Sequence, residues 1–113
     1  MADKQYNVES FKGTIGIPAS DTVSTGTQVI GQVNGVTQTI FFTTPDMEDT
    51  DSTAMTITNS SGAIFFNSGT KAESTTSIVG SQVGIIPGDK IVMTAEGTQS
   101  AARAIAFDIR LLS

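Results

Sequence analysis

Residues 102–112 read Ala-Arg-Ala-Ile-Ala-Phe-Asp-Ile-Arg-Leu-Leu, and their parity decides the fold class. Ile105, Phe107, Ile109 and Leu111 share one parity with Arg103, while Ala102, Ala104, Ala106, Asp108 and Arg110 take the other. The alanines favour helix. At about 100° per residue, however, the four large apolar side chains would spread around a helical cylinder. A period of two collects them on one face, so Ala102 to Leu112 is a strand.

Working outward, the same alternation recurs along the chain. Phe11 to Ile17 places Phe11, Ile15 and Ile17 on one parity, with Gly13 and Gly16 weakening the strand. Thr27 to Val33 and Val36 to Thr43 flank Asn34-Gly35, a pair that tolerates the positive φ angles of a type I′ turn and predicts a hairpin. In the second arm Val36, Gln38, Ile40 and Phe42 share one face, and Thr37, Thr39, Phe41 and Thr43 the other. Ala54 to Thr58 and Ala63 to Asn67 form a second hairpin around Asn59-Ser60-Ser61-Gly62. Thr75 to Val79, Val83 to Ile86 and Ile91 to Glu96 complete the set, with Pro87-Gly88-Asp89 as a tight turn. About eight or nine short strands and no significant helix predict an all-β fold, an antiparallel β-sandwich or jelly roll. Closure into a barrel is left open. Residues 1–10 read as a polar N-terminal arm and residues 11–113 as a single β-sandwich domain.

Composition narrows the function. The chain has no His, Cys or Trp, 38% hydrophobic residues and 15% charged residues, against roughly 25% charged in an average soluble domain. Ser and Thr supply the remaining polarity. Without His, the abundant serines lack their usual activating base, and no spacing favours a pairing with Lys71 or Lys90. Six Lys and Arg against a net charge of -5 argue against a nucleic-acid partner. No apolar run approaches the ~20 residues of a bilayer-spanning helix. The start carries no signal peptide, so the expected site of synthesis is the cytoplasm. Zero cysteine excludes a disulfide scaffold. These features predict a protein that is not an enzyme and uses no cofactor.

Two groups of residues stand out as candidate sites. Asp46, Glu48, Asp49 and Asp51 alternate on one loop and offer the hard oxygen ligands of a Ca²⁺ site. Their spacing is not that of an EF-hand, and a solvated loop held open by like charge is the plainer reading. Crowded on one loop, Asp46 and Glu48 cannot flank a sugar as a glycosidase pair does. The second group is aromatic. Phe41-Phe42 and Phe65-Phe66 each put one ring on either side of a sheet. One ring of each pair fills the core, and the other needs a cover. The candidate interface residues are Phe41 and Phe66, with Tyr6 and Phe11 as anchors for the arm.

The segments Thr43-Thr44-Pro45-Asp46, Ala54 to Gly62, Ile86-Pro87-Gly88-Asp89 and Ala104 to Arg110 give residues 39–111 a further likeness. This part of the chain resembles the small all-β head proteins of tailed bacteriophages, the decoration or cement class. The resemblance is one of style across about two thirds of the chain. It implies a structural virion protein on the capsid surface, a capsid decoration protein that bridges major capsid protein subunits and associates as a homo-oligomer, with a trimer favoured. The alternative is a carbohydrate- or receptor-binding β-sandwich module of a phage tail or bacterial surface protein. A missing tryptophan platform weighs against the sugar-binding version.

Overall fold

A computed structural model of the chain describes residues 8–20 and 24–112. The described residues form nine strands: β1 (Val8–Ile17), β2 (Thr25–Val29), β3 (Gly35–Thr44), β4 (Thr53–Thr58), β5 (Ile64–Asn67), β6 (Thr75–Gly80), β7 (Gly84–Ile85), β8 (Lys90–Ala95) and β9 (Arg103–Leu112). A single 3-10 turn, Glu48–Thr50, interrupts the loop after β3. One antiparallel sheet has the order β1-β9-β3-β6, with β7 also pairing β3, and the other has the order β2-β8-β4-β5.

The pairings are nested. β4 pairs β5, β3 pairs β6 and β7, β2 pairs β8, and β1 pairs β9. The chain is therefore one long hairpin with its tip at Asn59–Ala63, wrapped so that successive nested pairs alternate between two sheets. Additional pairs β3–β9 and β4–β8 lock the wrap. This strand order is that of a jelly roll, and the architecture is an antiparallel β-sandwich.

Period-two patterning decides which side chains meet between the sheets. β9 sends Ile105, Phe107, Ile109 and Leu111 inward, as its parity requires. They pack with Ile15, Ile17, Ile40, Phe42, Met55, Ile57, Ile91 and Met93. Each such burial is worth roughly 1.5–3 kcal/mol before conformational entropy is counted. Phe11 sits at the rim of this core, its ring edge-on to Phe107 at 5.4 Å. Buried Thr44 and Thr53 join the two sheets through a hydroxyl–hydroxyl bond of 2.8 Å, which satisfies both polar groups.

Three expectations need correction. Val8–Ser10 is not part of a free arm: these residues extend β1 and pair with Arg110–Leu112 of β9. Residues 1–7, including Tyr6, lie outside the described residues. Asn34-Gly35 does not turn a hairpin either, because β2 and β3 belong to different sheets. Gly35, at φ 151°, is needed instead for close approach: a Cβ there would strike the carbonyl oxygen of Leu112. Finally, the β3–β9 register shifts between Thr37 and Thr39, a bulge at Gln38. It turns Thr37 into the core, where its hydroxyl donates to the Ser81 carbonyl and accepts from the Val83 N–H, and turns Val36 outward.

Candidate interaction surfaces

The loop with four carboxylates is built into one end of the sandwich by a buried glutamine. Gln99 is fully buried. Its Oε1 accepts from the Glu48 N–H (2.9 Å) and from Arg103 Nε (3.1 Å). Its Nε2 donates to Asp51 Oδ2 (2.8 Å) and to the Gly97 carbonyl (3.1 Å). Glu48 in turn accepts from the Ser100 hydroxyl (2.7 Å) and backbone N–H (2.8 Å). Glu73 receives the N–H of Met47, whose side chain is buried. Asp49 takes a left-handed conformation at φ 55° and stays exposed, as does Asp46.

The structure thus brings Glu48 and Asp51 onto one glutamine but does not gather the four proposed Ca²⁺ ligands. Among the described residues no group of three or more acidic, His or Cys side chains is placed to hold a metal ion. The hydrogen bonds from Ser100, its hydroxyl first and then its N–H, hold the Glu48 carboxyl below the ordinary value of 4.5. A depressed carboxylate stabilises the fold above the unfolded value, and that contribution fades as pH falls through the folded one. The stability difference between the native chain and Ser100→Ala should therefore be largest at neutral pH and shrink below about 4.5. Urea midpoints measured across pH test this, and a difference that stays constant into the acid range would rule it out.

Of the aromatic candidates, Phe41 faces outward from the first sheet and is half-buried. Its cover comes from its own sheet: the Arg110 guanidinium lies 5.1 Å from the ring centroid, and Arg110 Nε sits 3.6 Å from Asp108. Ile78, paired with Phe41, is 67% exposed beside it. Phe66 is corrected: it pairs with Ile57 on the inner face and belongs to the core. The register shift after Ile57 leaves Phe65 as the outward ring. Phe11 is likewise a rim residue of the core.

What sequence parity did not reveal is where the exposed apolar residues assemble. Val8, Leu112 and Val36 form one cross-strand row on the first sheet. Val29, Lys90, Thr58 and Ile64 form the corresponding row on the second. The chain runs directly from one row to the other through buried Ile30, whose N–H is held by the Asp89 carbonyl at 2.7 Å. The turn at Ile86–Asp89 closes the same end, with Asp89 Oδ2 accepting from the Ile86 N–H. Val8, Ile64 and Ile86 are 67%, 61% and 62% exposed there, joined by Val29, Val36 and Phe65. Asp46, Glu48, Asp49, Asp51, Glu73 and Glu96 all lie in loops at the opposite end. One end of the sandwich is thus mainly aliphatic, though Glu9, Asp89 and Lys90 also lie there, and the other is mainly acidic, while exposed Ile78 sits between them. The one sequence cue was Ile85-Ile86 beside Pro87, where both parities are apolar at once.

Among the described residues there is no pocket of ligand-binding size. Fold and surface together define an all-β sandwich that presents faces and ends rather than a cleft. No protein-family model matches the chain, and no curated protein matches it in sequence. Among solved structures it is similar to a chain from the Bacillus endospore appendages, described as forming a novel family of disulfide-linked pili. The TM-score is 0.50 over 98% of this chain and 93% of that one, at 12% identity. A likeness at that identity is one of fold.

Proposed function

We propose that this chain is a structural protein that docks end-on against other protein subunits, and that it acts as a decoration protein on a phage head. The observation that carries the reading is the gathering of most exposed aliphatic side chains at one end, while six of the nine described carboxylates lie at the other. Exposed apolar area clustered at one end is costly in water and is offset when a partner covers it. The acidic end, kept in solvent by its charge, gives the docked molecule a direction. Support for the phage setting comes from the sequence resemblance over residues 39–111. In that reading the partners are major capsid protein subunits, and several weak contacts from a trimer add through effective concentration.

Replacing Ile64 and Ile86 together by aspartate should weaken co-sedimentation with undecorated heads by about tenfold or more while leaving the melting temperature nearly unchanged, because both side chains already face water. Unchanged co-sedimentation would remove the end-on reading.

The fold likeness to an appendage subunit favours a second reading, a fibre subunit. The pili of that neighbour are described as disulfide-linked, whereas this chain has no cysteine, so its fibres would rest on non-covalent contacts. Electron microscopy of the purified chain separates the two: filaments formed without any head protein point to the fibre. Specific retention on a glycan array would instead favour a carbohydrate-binding module.

A further inference from the structure

We propose that Asn34 is a site of spontaneous covalent modification, converting on the folded protein through a succinimide to aspartate and isoaspartate. The described residues contain three asparagines, and their side chains are held differently. Asn59 Oδ1 accepts from the N–H groups of Ser61 and Ala63, both at 3.0 Å. Asn67 Oδ1 accepts from the N–H of Gly69 at 2.8 Å. Asn34 is exposed, its side chain makes no hydrogen bond with a described residue, and the next residue is Gly35.

That combination suits the chemistry. The Gly35 backbone nitrogen loses its proton and attacks Asn34 Cγ. A nitrogen–Cγ bond forms, the Cγ–Nδ2 bond breaks, and ammonia leaves. Water then opens the five-membered ring at either carbonyl, giving aspartate or isoaspartate. No oxidant or reductant is required. A following residue with a side chain would shield the attacking nitrogen, and Gly35 has none. An asparagine whose Oδ1 is already tied to nearby N–H groups cannot swing its Cγ onto the next nitrogen, which protects positions 59 and 67. On one side the ladder at this strand end is short, since Gly35 and Val36 pair with β7, a strand of only two residues. On the other, Val36 pairs with Leu112, the last described residue of β9, and strand ends open more cheaply than strand centres.

The product is not neutral to the fold. The isoaspartyl form lengthens the main chain by one methylene immediately before Gly35, whose Cα is packed against the Leu112 carbonyl. Both products add a negative charge at the aliphatic end.

The full chain is aged at mildly alkaline pH, digested with trypsin and sequenced by mass spectrometry; the peptide 13–71 carries all three asparagines. Position 34 is expected to convert at least about tenfold faster than positions 59 and 67 in the folded protein, and no more than about tenfold slower than in urea, as cheap local opening requires. The Asn34→Gln variant should stay unmodified over the same period. Conversion at position 59 or 67 that keeps pace with position 34, or stronger protection of position 34 on folding, overturns the proposal.

Discussion

Gly26→Ala should cost about 3 kcal/mol or more of stability, enough to remove much of what holds a domain of this size together. Gly26 is buried in β2, and a Cβ there would run into the carbonyl oxygen of Gly16 and the side chain of Ile15 in β1. The neighbour is main chain of the opposing sheet, so no rotamer change makes room. The two sheets would have to part along the side where β1 and β2 pass each other, and the Ile15–Ile17 core would open with them. Gly16→Ala is the matched control, because nothing lies within 4 Å of a Cβ at that position. It should change stability by no more than about 0.5 kcal/mol. Urea denaturation of both variants reads out the contrast; a Gly26→Ala protein as stable as Gly16→Ala would mean that the close approach is not a constraint.

Gln99→Leu is the second change with a large expected effect, about 2–4 kcal/mol. Leucine is close in size, so the loss falls on hydrogen bonds. The Glu48 N–H, the Gly97 carbonyl and the Asp51 carboxylate would all lose the partner that Gln99 gives them. Each buried polar group left unpaired costs about 1–3 kcal/mol, and rehydration at this rim recovers part of it. Gln99→Glu should be destabilising too, through repulsion from Asp51. Hydrogen exchange should locate the damage in the loops at residues 45–52 and 96–102 while the β1–β9 ladder keeps its protection. Uniform loss of protection would show that Gln99 supports the whole sandwich instead.

Fold class was legible because strand parity survives in the chain wherever one face is buried, and β9 shows this most clearly. The tip hairpin at Asn59–Ala63 was legible too, since its turn is made locally: the Gly62 N–H bonds to the Asn59 carbonyl at 2.9 Å. Asn34-Gly35 misled because a glycine that permits unusual φ looks the same in sequence whether a tight turn or a distant carbonyl demands it. Here the demand comes from Leu112, 77 residues downstream. The bulge at Gln38 flips the parity of β3, which turned Thr37 inward and Val36 outward. Phe66 faces in because the fold sets it opposite Ile57, a pairing that adjacent Phe residues do not reveal in sequence. Gln99 left no mark, since a polar residue in a turn is ordinary until the fold buries it. The aliphatic end was invisible for a related reason: Val8, Val29, Val36, Ile64 and Ile86 become neighbours only after the wrap brings their strand ends together.

The nested pairing also sets when the protein can fold during synthesis. β4 and β5 can meet as soon as Asn67 has left the ribosome, but β2 must wait for β8 and β1 for β9. The first sheet depends most on this delay, because its central strand β9 is the last to be made. Until then Ile15, Ile17, Ile40 and Phe42 have no lasting cover, and the loop that closes them is almost the full length of the chain. Folding of this kind is slow and exposes sticky intermediates. A ribosome paused before residue 103 would therefore hold an unfinished sheet, and the nascent chain should stay protease-sensitive until the final strand emerges.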